Sequence, residues 1–163
     1  MVRAIMHGCN GHMGQVITGL IKNDESIEIV AGIDKYKGIE NDYPVFDSME
    51  ACTEEADVVI DFSNAAAIDA LLDSCKDKKL PVVLCTTGLS EEQLAKVKET
   101  AKETAVLKSA NMSLGINLLL KLLKEATAVL APAGYDMEIV ERHHNQKPVS
   151  YTHLRAHETS LHL

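Results

Sequence analysis

Val2-Arg3-Ala4-Ile5-Met6-His7-Gly8-Cys9-Asn10-Gly11-His12-Met13-Gly14 is the stretch that decides the fold. Val2 to Met6 is a short, mostly apolar run of strand length, ended by His7-Gly8. From Gly14 to Ile21 the residues Val16, Ile17, Leu20 and Ile21 recur at the spacing of one helix face. Between strand and helix lies a turn carrying Gly8, Gly11 and Gly14. Glycine is needed where a chain turns tightly, where backbone must approach a pyrophosphate, and where helix packs on strand. Free N–H groups and the positive dipole end at the helix start then suit phosphates. Asn10 stands where a stricter fingerprint has glycine, and Asn tolerates left-handed backbone better than most residues.

Outward from this turn, Asp34 follows Gly14 by 20 residues and closes a second strand, Ile27 to Ile33. An acid at that distance is placed to meet the adenosine ribose hydroxyls of a dinucleotide. Lys35 and Lys37 come next and are placed to accept a 2′-phosphate instead, so NADH and NADPH both stay open.

The same alternation continues. Asp57 to Ile60, Pro81 to Leu84 and Ala105 to Leu107 read as further strands, and Asp136 to Val140 as a later one. Asn64 can cap a helix with the buried stripe Ile68, Leu71, Leu72 and Cys75. Ser90 and Gln93 form a capping box, with Leu89 able to staple onto Leu94. Ser113 caps a long helix to about Leu130, ended by Pro132; its leucines fall on more than one face, the pattern of a helix buried on two sides or set between domains. Apolar strands that are each followed by a helix predict a parallel sheet covered on both faces, a Rossmann-like doubly wound α/β domain over residues 1–130.

Composition bounds the partners. The 163 residues carry 16 basic and 24 acidic side chains, a net charge of −8, which gives no positive field for nucleic acid or an anionic membrane. No apolar run reaches membrane-spanning length, and the opening MVRAIMHG is too short for a secretory leader, so a cytoplasmic protein is expected. Cys9, Cys52, Cys75 and Cys85 lack metal spacing and read as free thiols in a reducing compartment.

Five segments together, GCNGHMG at 8–14, DFS at 61–63, CTTG at 85–88, ANMSLGIN at 110–117 and ERHHNQK at 141–147, resemble 4-hydroxy-tetrahydrodipicolinate reductase, over essentially the whole of residues 1–147. The resemblance implies NADH- or NADPH-dependent reduction of 4-hydroxy-tetrahydrodipicolinate in lysine biosynthesis through diaminopimelate. It implies that Gly8, Cys9, Asn10, Gly11, His12 and Met13 bind the pyrophosphate and Asp34 the adenosine ribose. Thr86 and Gly88 then lie by the nicotinamide ribose, Ala110, Asn111 and Met112 line the nicotinamide, and Thr87 and His144 face the substrate. Met112 replaces a residue that is Phe in some members. A packed core aromatic explains Phe62 as well as a site does, and it is given no site role. His143 matches the catalytic histidine, and Lys147 the lysine of the same run. A histidine titrating near neutrality suits a proton donor, and an ammonium suits charge developing on the substrate.

The match stops after Lys147, where the family continues with a loop of the DAPSGTA type. Residues 148–163 instead resemble a translated sequencing-adaptor stretch, and they are read as a foreign tail. Three of the seven histidines, His153, His157 and His162, lie there, but no supporting carboxylate cluster makes them a metal site. Residues 131–147 are then the start of a truncated α+β substrate domain. The family is a homotetramer through that domain. A chain cut there is expected to turn over weakly or not at all, and the competing reading is a dinucleotide-binding Rossmann remnant without catalysis.

Overall fold

In the computed structural model, residues 1–138 are described. The chain divides at Ala110, into Met1–Ala110 and a second unit that begins at Asn111.

The first unit is built on one sheet. Strand β1 (Val2–His7) runs into helix α1 (His12–Ile21), then β2 (Ile27–Ile33), the two-residue β3 (Val45–Phe46) and β4 (Val58–Asp61). A 3-10 turn (Ala65–Ala67) leads into α2 (Ile68–Asp77), followed by β5 (Val82–Leu84), α3 (Glu91–Thr100) and β6 (Val106–Lys108). The six strands are all parallel, in the order β3-β2-β1-β4-β5-β6. That is the doubly wound order, and it places the topological switch point between β1 and β4. The sequence expectation of this fold is met.

Register matters most for the site. His7 pairs with Ile33 on one side and with Asp61 on the other, Ile33 with Phe46, and Asp61 with Leu84. These residues form one row across the sheet. The segments that follow it, from Gly8, Asp34, Asp47, Phe62 and Cys85, therefore all emerge along one edge.

The core sits under α2, where Ile68, Leu71 and Leu72 are almost fully buried against Ile5, Val59 and Val82. Removing each such side chain from water stabilises the fold by about 1.5–3 kcal/mol. The stripe expected on α2 is the stripe observed, with Ser74 added to it. Asn64 caps the 3-10 turn and not α2 itself, accepting from the Ala66 N–H at 3.1 Å. The capping box of α3 is complete: Ser90 Oγ accepts from the Gln93 N–H at 3.2 Å, and Gln93 Oε1 from the Ser90 N–H at 3.1 Å.

Some expectations are corrected. Helix α1 does not bury Val16 and Leu20, which are exposed. Its inward row is Gly14, Ile17, Thr18 and Ile21, a phase whose members include a glycine and a threonine and so is hard to see by hydropathy. Strand β6 is the last strand of the sheet and closes the first unit, which ends at Ala110. The long helix α4 (Leu114–Leu130) starts at Ser113 as expected, with Ser113 Oγ accepting from the Ile116 N–H at 3.4 Å. It buries no residue, however, and Leu114 is 84% exposed. The 17-residue helix is held by its own backbone hydrogen bonds and cap. Asp136 to Glu138 are not in a strand. The rest of that expected strand, the double-histidine run and residues 148–163 lie outside the described residues.

Candidate functional site: a cleft at the strand ends

A cleft of about 500 Å³ opens at the switch point, a size usual for small-molecule sites. Its lining includes His7, the last residue of β1, and the segments just past the register row: Gly8 and Gly11 after β1, and Asp34 and Lys35 after β2. Asp47 and Glu50 follow β3, and Phe62 and Ser63 follow β4.

The glycine turn has the shape that an anion needs. Gly8 has φ +80°, and a Cβ there would lie 2.6 Å from the Phe62 carbonyl oxygen, so the position has no room for a side chain. Gly14 packs still more closely, and its Cβ would meet the Gly8 carbonyl oxygen at 2.3 Å. Gly11 is the N-cap of α1, and no side chain caps that helix. The N–H groups of its first turn are therefore left for solvent or a ligand, with the positive end of the helix dipole behind them. The residues present fit a dinucleotide pyrophosphate.

Asn10 corrects a sequence expectation. Among the described residues, the one non-glycine with positive φ is Lys79, so Asn10 does not use left-handed backbone. Its value lies in its side chain. Asn10 Nδ2 donates to the Tyr36 carbonyl, and Asn10 Oδ1 accepts from Asn41 Nδ2 at 2.8 Å. Gln15 Nε2 extends the network, donating to the Cys9 carbonyl and to Asn41 Oδ1, both at 2.9 Å. The loop after β2 is thereby tied to the glycine turn. Asp34 is fixed in the same way: its Oδ2 accepts from the Asn10 N–H at 3.0 Å and its Oδ1 from the Tyr36 N–H at 2.9 Å.

Beneath the cleft lies a buried acid. Asp61 is fully buried, and its Oδ1 accepts from Ser63 Oγ at 2.6 Å and lies 2.7 Å from His7 Nδ1. Its Oδ2 has no hydrogen-bond partner. Burial pushes this carboxyl up, but the hydrogen bonds from His7 and Ser63 outweigh it and hold the group below the ordinary carboxylate range. Ser63 Oγ is also 3.4 Å from Thr86 Oγ1.

The expected site residues are distributed unevenly. Gly8, Gly11 and Asp34 line the cleft, and His12 and Met13 are exposed in the first turn of α1. The Cys9 side chain is fully buried, and only its backbone can serve a ligand; burial, with Asp34 nearby, pushes its thiol up to about 11. Thr86 is buried next to Ser63, while Thr87 and Gly88 are exposed, Gly88 with φ +75°. Ala110 ends the first unit and is exposed. Asn111 and Met112 open the second unit; Asn111 Oδ1 accepts from the Ser113 N–H at 2.8 Å, and Met112 is exposed. His143, His144 and Lys147 lie outside the described residues. Sequence reasoning passed over His7, Ser63, Asp47 and Glu50 and gave Phe62 no role, yet all five line the cleft. The usable signal for Phe62 and Ser63 was their place directly after a strand end. Nothing comparable marks Asp47 and Glu50, since β3 has two residues and no readable period.

The comparisons agree with this geometry. Residues 2–112 match the family described as dihydrodipicolinate reductase, N-terminus. The 4-hydroxy-tetrahydrodipicolinate reductase of Clostridium novyi (strain NT) is 51% identical over 147 residues, 90% of this chain and 58% of that protein. The enzyme of that name from Caldanaerobacter subterraneus subsp. tengcongensis is 52% identical over 147 residues, 90% of this chain and 57% of its own length. The chain thus spans 58% or less of these curated relatives. Among solved structures, the dipicolinate-bound dihydrodipicolinate reductase from Paenisporosarcina sp. TG-14 superposes with a TM-score of 0.79 at 27% identity, covering 99% of this chain and 64% of that one. The myo-inositol 2-dehydrogenase from Lactobacillus plantarum, 12% identical with a TM-score of 0.58 over 78% of this chain and 42% of its own, shares the fold alone. Sheet order, glycine turn and relatives all lead to one assignment: the chain belongs to the dihydrodipicolinate reductase family and carries its N-terminal domain.

Proposed function

We propose that residues 1–110 bind NADH or NADPH across the strand ends, as part of a protein that reduces 4-hydroxy-tetrahydrodipicolinate in lysine biosynthesis. The observation that carries the reading is the turn of Gly8 and Gly11 opening onto the uncapped start of α1, with Asp34 held beside it. The first-turn N–H groups of α1 would hold the pyrophosphate, and Asp34 would accept from the adenosine ribose hydroxyls. Phe62 and Ser63 would border the nucleotide from the β4 side. When bound, the nicotinamide supplies a hydride. By family likeness, Thr86 and Gly88 lie by its ribose and Ala110, Asn111 and Met112 by its ring. His143 donates the proton that the reduced substrate needs, Lys147 stabilises the charge developing on it, and His144 and Thr87 face the substrate. Work in the cytoplasm and assembly as a homotetramer belong to the same reading. Among the described residues, no helix is long and apolar enough to cross a membrane.

The test is Gly11→Asp. Gly11 has φ −73°, open to any residue, and its Cβ would approach only the Gly8 carbonyl oxygen, at 3.3 Å. Aspartate is a good N-cap, so the fold should hold or gain up to about 1 kcal/mol. The same carboxylate would occupy the first-turn N–H groups and repel a pyrophosphate. Dinucleotide affinity, measured by calorimetric titration, should fall more than about tenfold, the effect of some 1.4 kcal/mol. Unchanged affinity in a folded Gly11→Asp would overturn the reading. For the reaction, His143→Gln should lower turnover far more than cofactor affinity, and equal losses in both would refute the donor role.

A further inference from the structure

We infer that this cleft discriminates against a 2′-phosphate and takes NADH in preference to NADPH; the inference rests on the dinucleotide reading above. The sequence leaves the choice open, because Asp34 is followed by two lysines. The geometry closes it in three ways.

First, Asp34 cannot turn aside. Both carboxylate oxygens accept backbone N–H groups, Oδ2 from Asn10 at 3.0 Å and Oδ1 from Tyr36 at 2.9 Å. Rotation of the side chain would strand both donors. Each oxygen keeps acceptor capacity for a ribose hydroxyl, which is a donor. A 2′-phosphate offers acceptors only and carries about −1.5 to −2 charges near neutral pH.

Second, of the two lysines that could offset that charge, Lys37 is paired with a carboxylate and Lys35 stands among several. Lys37 Nζ lies 2.9 Å from Asp47 Oδ1. Lys35 lines the cleft, but so do Asp34, Asp47 and Glu50, so carboxylates outnumber it on this rim.

Third, the segment carrying both lysines is pinned. Asn10 Nδ2 bonds the Tyr36 carbonyl between them, and Asn41 Nδ2 bonds Asn10 Oδ1 at 2.8 Å. A shift that brought Lys35 or Lys37 over the 2′ position would have to break these bonds to the glycine turn.

The experiment is calorimetric titration of the full chain with NADH and with NADPH. NADPH should bind at least about tenfold more weakly, the effect of one uncompensated like-charge contact in partly solvated surroundings. Asp47→Asn removes a rim carboxylate and frees Lys37, so it should narrow the ratio severalfold, mainly by tightening NADPH. Asp34→Ser should remove the preference by weakening NADH while leaving NADPH as tight or tighter. Gly11→Asp should weaken both alike and keep the ratio. Equal affinities in the wild type, or a ratio that Asp34→Ser leaves unchanged, would overturn the preference while leaving the dinucleotide reading standing. Binding of neither nucleotide would overturn both.

Discussion

Gly14→Ala and Gly19→Ala make the same chemical change five positions apart in one helix, and the structure assigns them opposite signs. At Gly19 a Cβ meets nothing within 4 Å. Only the backbone entropy of glycine changes, so alanine should stabilise by about 0.5–1 kcal/mol. At Gly14 the same carbon would sit 2.3 Å from the Gly8 carbonyl oxygen, 2.6 Å from that of Cys9 and 2.7 Å from the Cys9 carbonyl carbon. Carbon contacts are ordinarily near 3.5 Å, so helix and turn must part by roughly 1 Å. All three obstacles are backbone, and no side chain can swing out of the way. Separation strains the Gly8 N–H bond to Ile33 (2.8 Å) and the Gly11 N–H bond to Gly8 (3.1 Å). Overpacking costs about 1–3 kcal/mol and each weakened bond about 1 kcal/mol more, against a helix-propensity gain of about 1 kcal/mol. The net loss is about 2–4 kcal/mol. At roughly 3–4 °C per kcal/mol for a chain of this size, that is a fall in Tm of about 10 °C, against a rise of a few degrees for Gly19→Ala. Urea unfolding followed by far-UV circular dichroism measures both. Should the two variants agree within about 0.5 kcal/mol, the close approach of turn and helix is not what holds Gly14.

Two further outcomes are expected. Because the folded Asp61 carboxyl sits below its ordinary value of 3.8, its contribution is fully present above that pH and is lost as pH falls through the lower folded value. Asp61→Asn should therefore cost about 3 kcal/mol at neutral pH, with the gap from wild type closing below about pH 4, and a gap constant with pH would refute the assignment. Cys9, Cys75 and Cys85 are buried, with thiols raised by burial to about 11, 12 and 11 respectively, so an aromatic disulfide reagent should modify them only after denaturant is added. Fast reaction of any of the three in the native protein would contradict their placement.

How far the sequence could be read depended on whether local chemistry or tertiary contact decided each feature. The strand Ile27–Ile33 and the cap at Ser90 are local. A seven-residue, mostly apolar run and a Ser-x-x-Gln spacing carry the whole message, and both appear as expected. The glycine turn was legible for the same reason, since its demands on Gly8 and Gly14 are steric and positional. The phase of α1 was not. Its inward row runs through Gly14 and Thr18, and Thr18 earns its place by bonding the Gly14 carbonyl and Tyr43 Oη, both at 2.8 Å, which no hydropathy pattern reports. Asn10 misled because a backbone tolerance was the visible property of the residue, while a side-chain network to Tyr36 and Asn41, some 30 positions away, was what it supplied.

That network also bears on why residues so far apart in sequence act at one place. A parallel sheet fixes strand ends only through register, and here one row joins His7, Ile33 and Asp61. Register brings the loops to a common edge but leaves them free to splay. Two sets of polar bonds remove that freedom on either side of β1. Asp34 and Asn10 tie the β2 loop to the glycine turn, while Asp61 and Ser63 tie the β4 loop to His7 and the vicinity of Thr86. A carboxylate is well suited to each place, because one anion can accept several N–H or O–H donors at once. The two acids differ in what surrounds them. Asp34 is partly exposed and faces the cleft, where it is placed to meet a ligand, whereas Asp61 is fully buried and acts on the cleft through its neighbours. Replacing Asp34 should therefore change which nucleotide binds, while replacing Asp61 should change how firmly the whole edge is held.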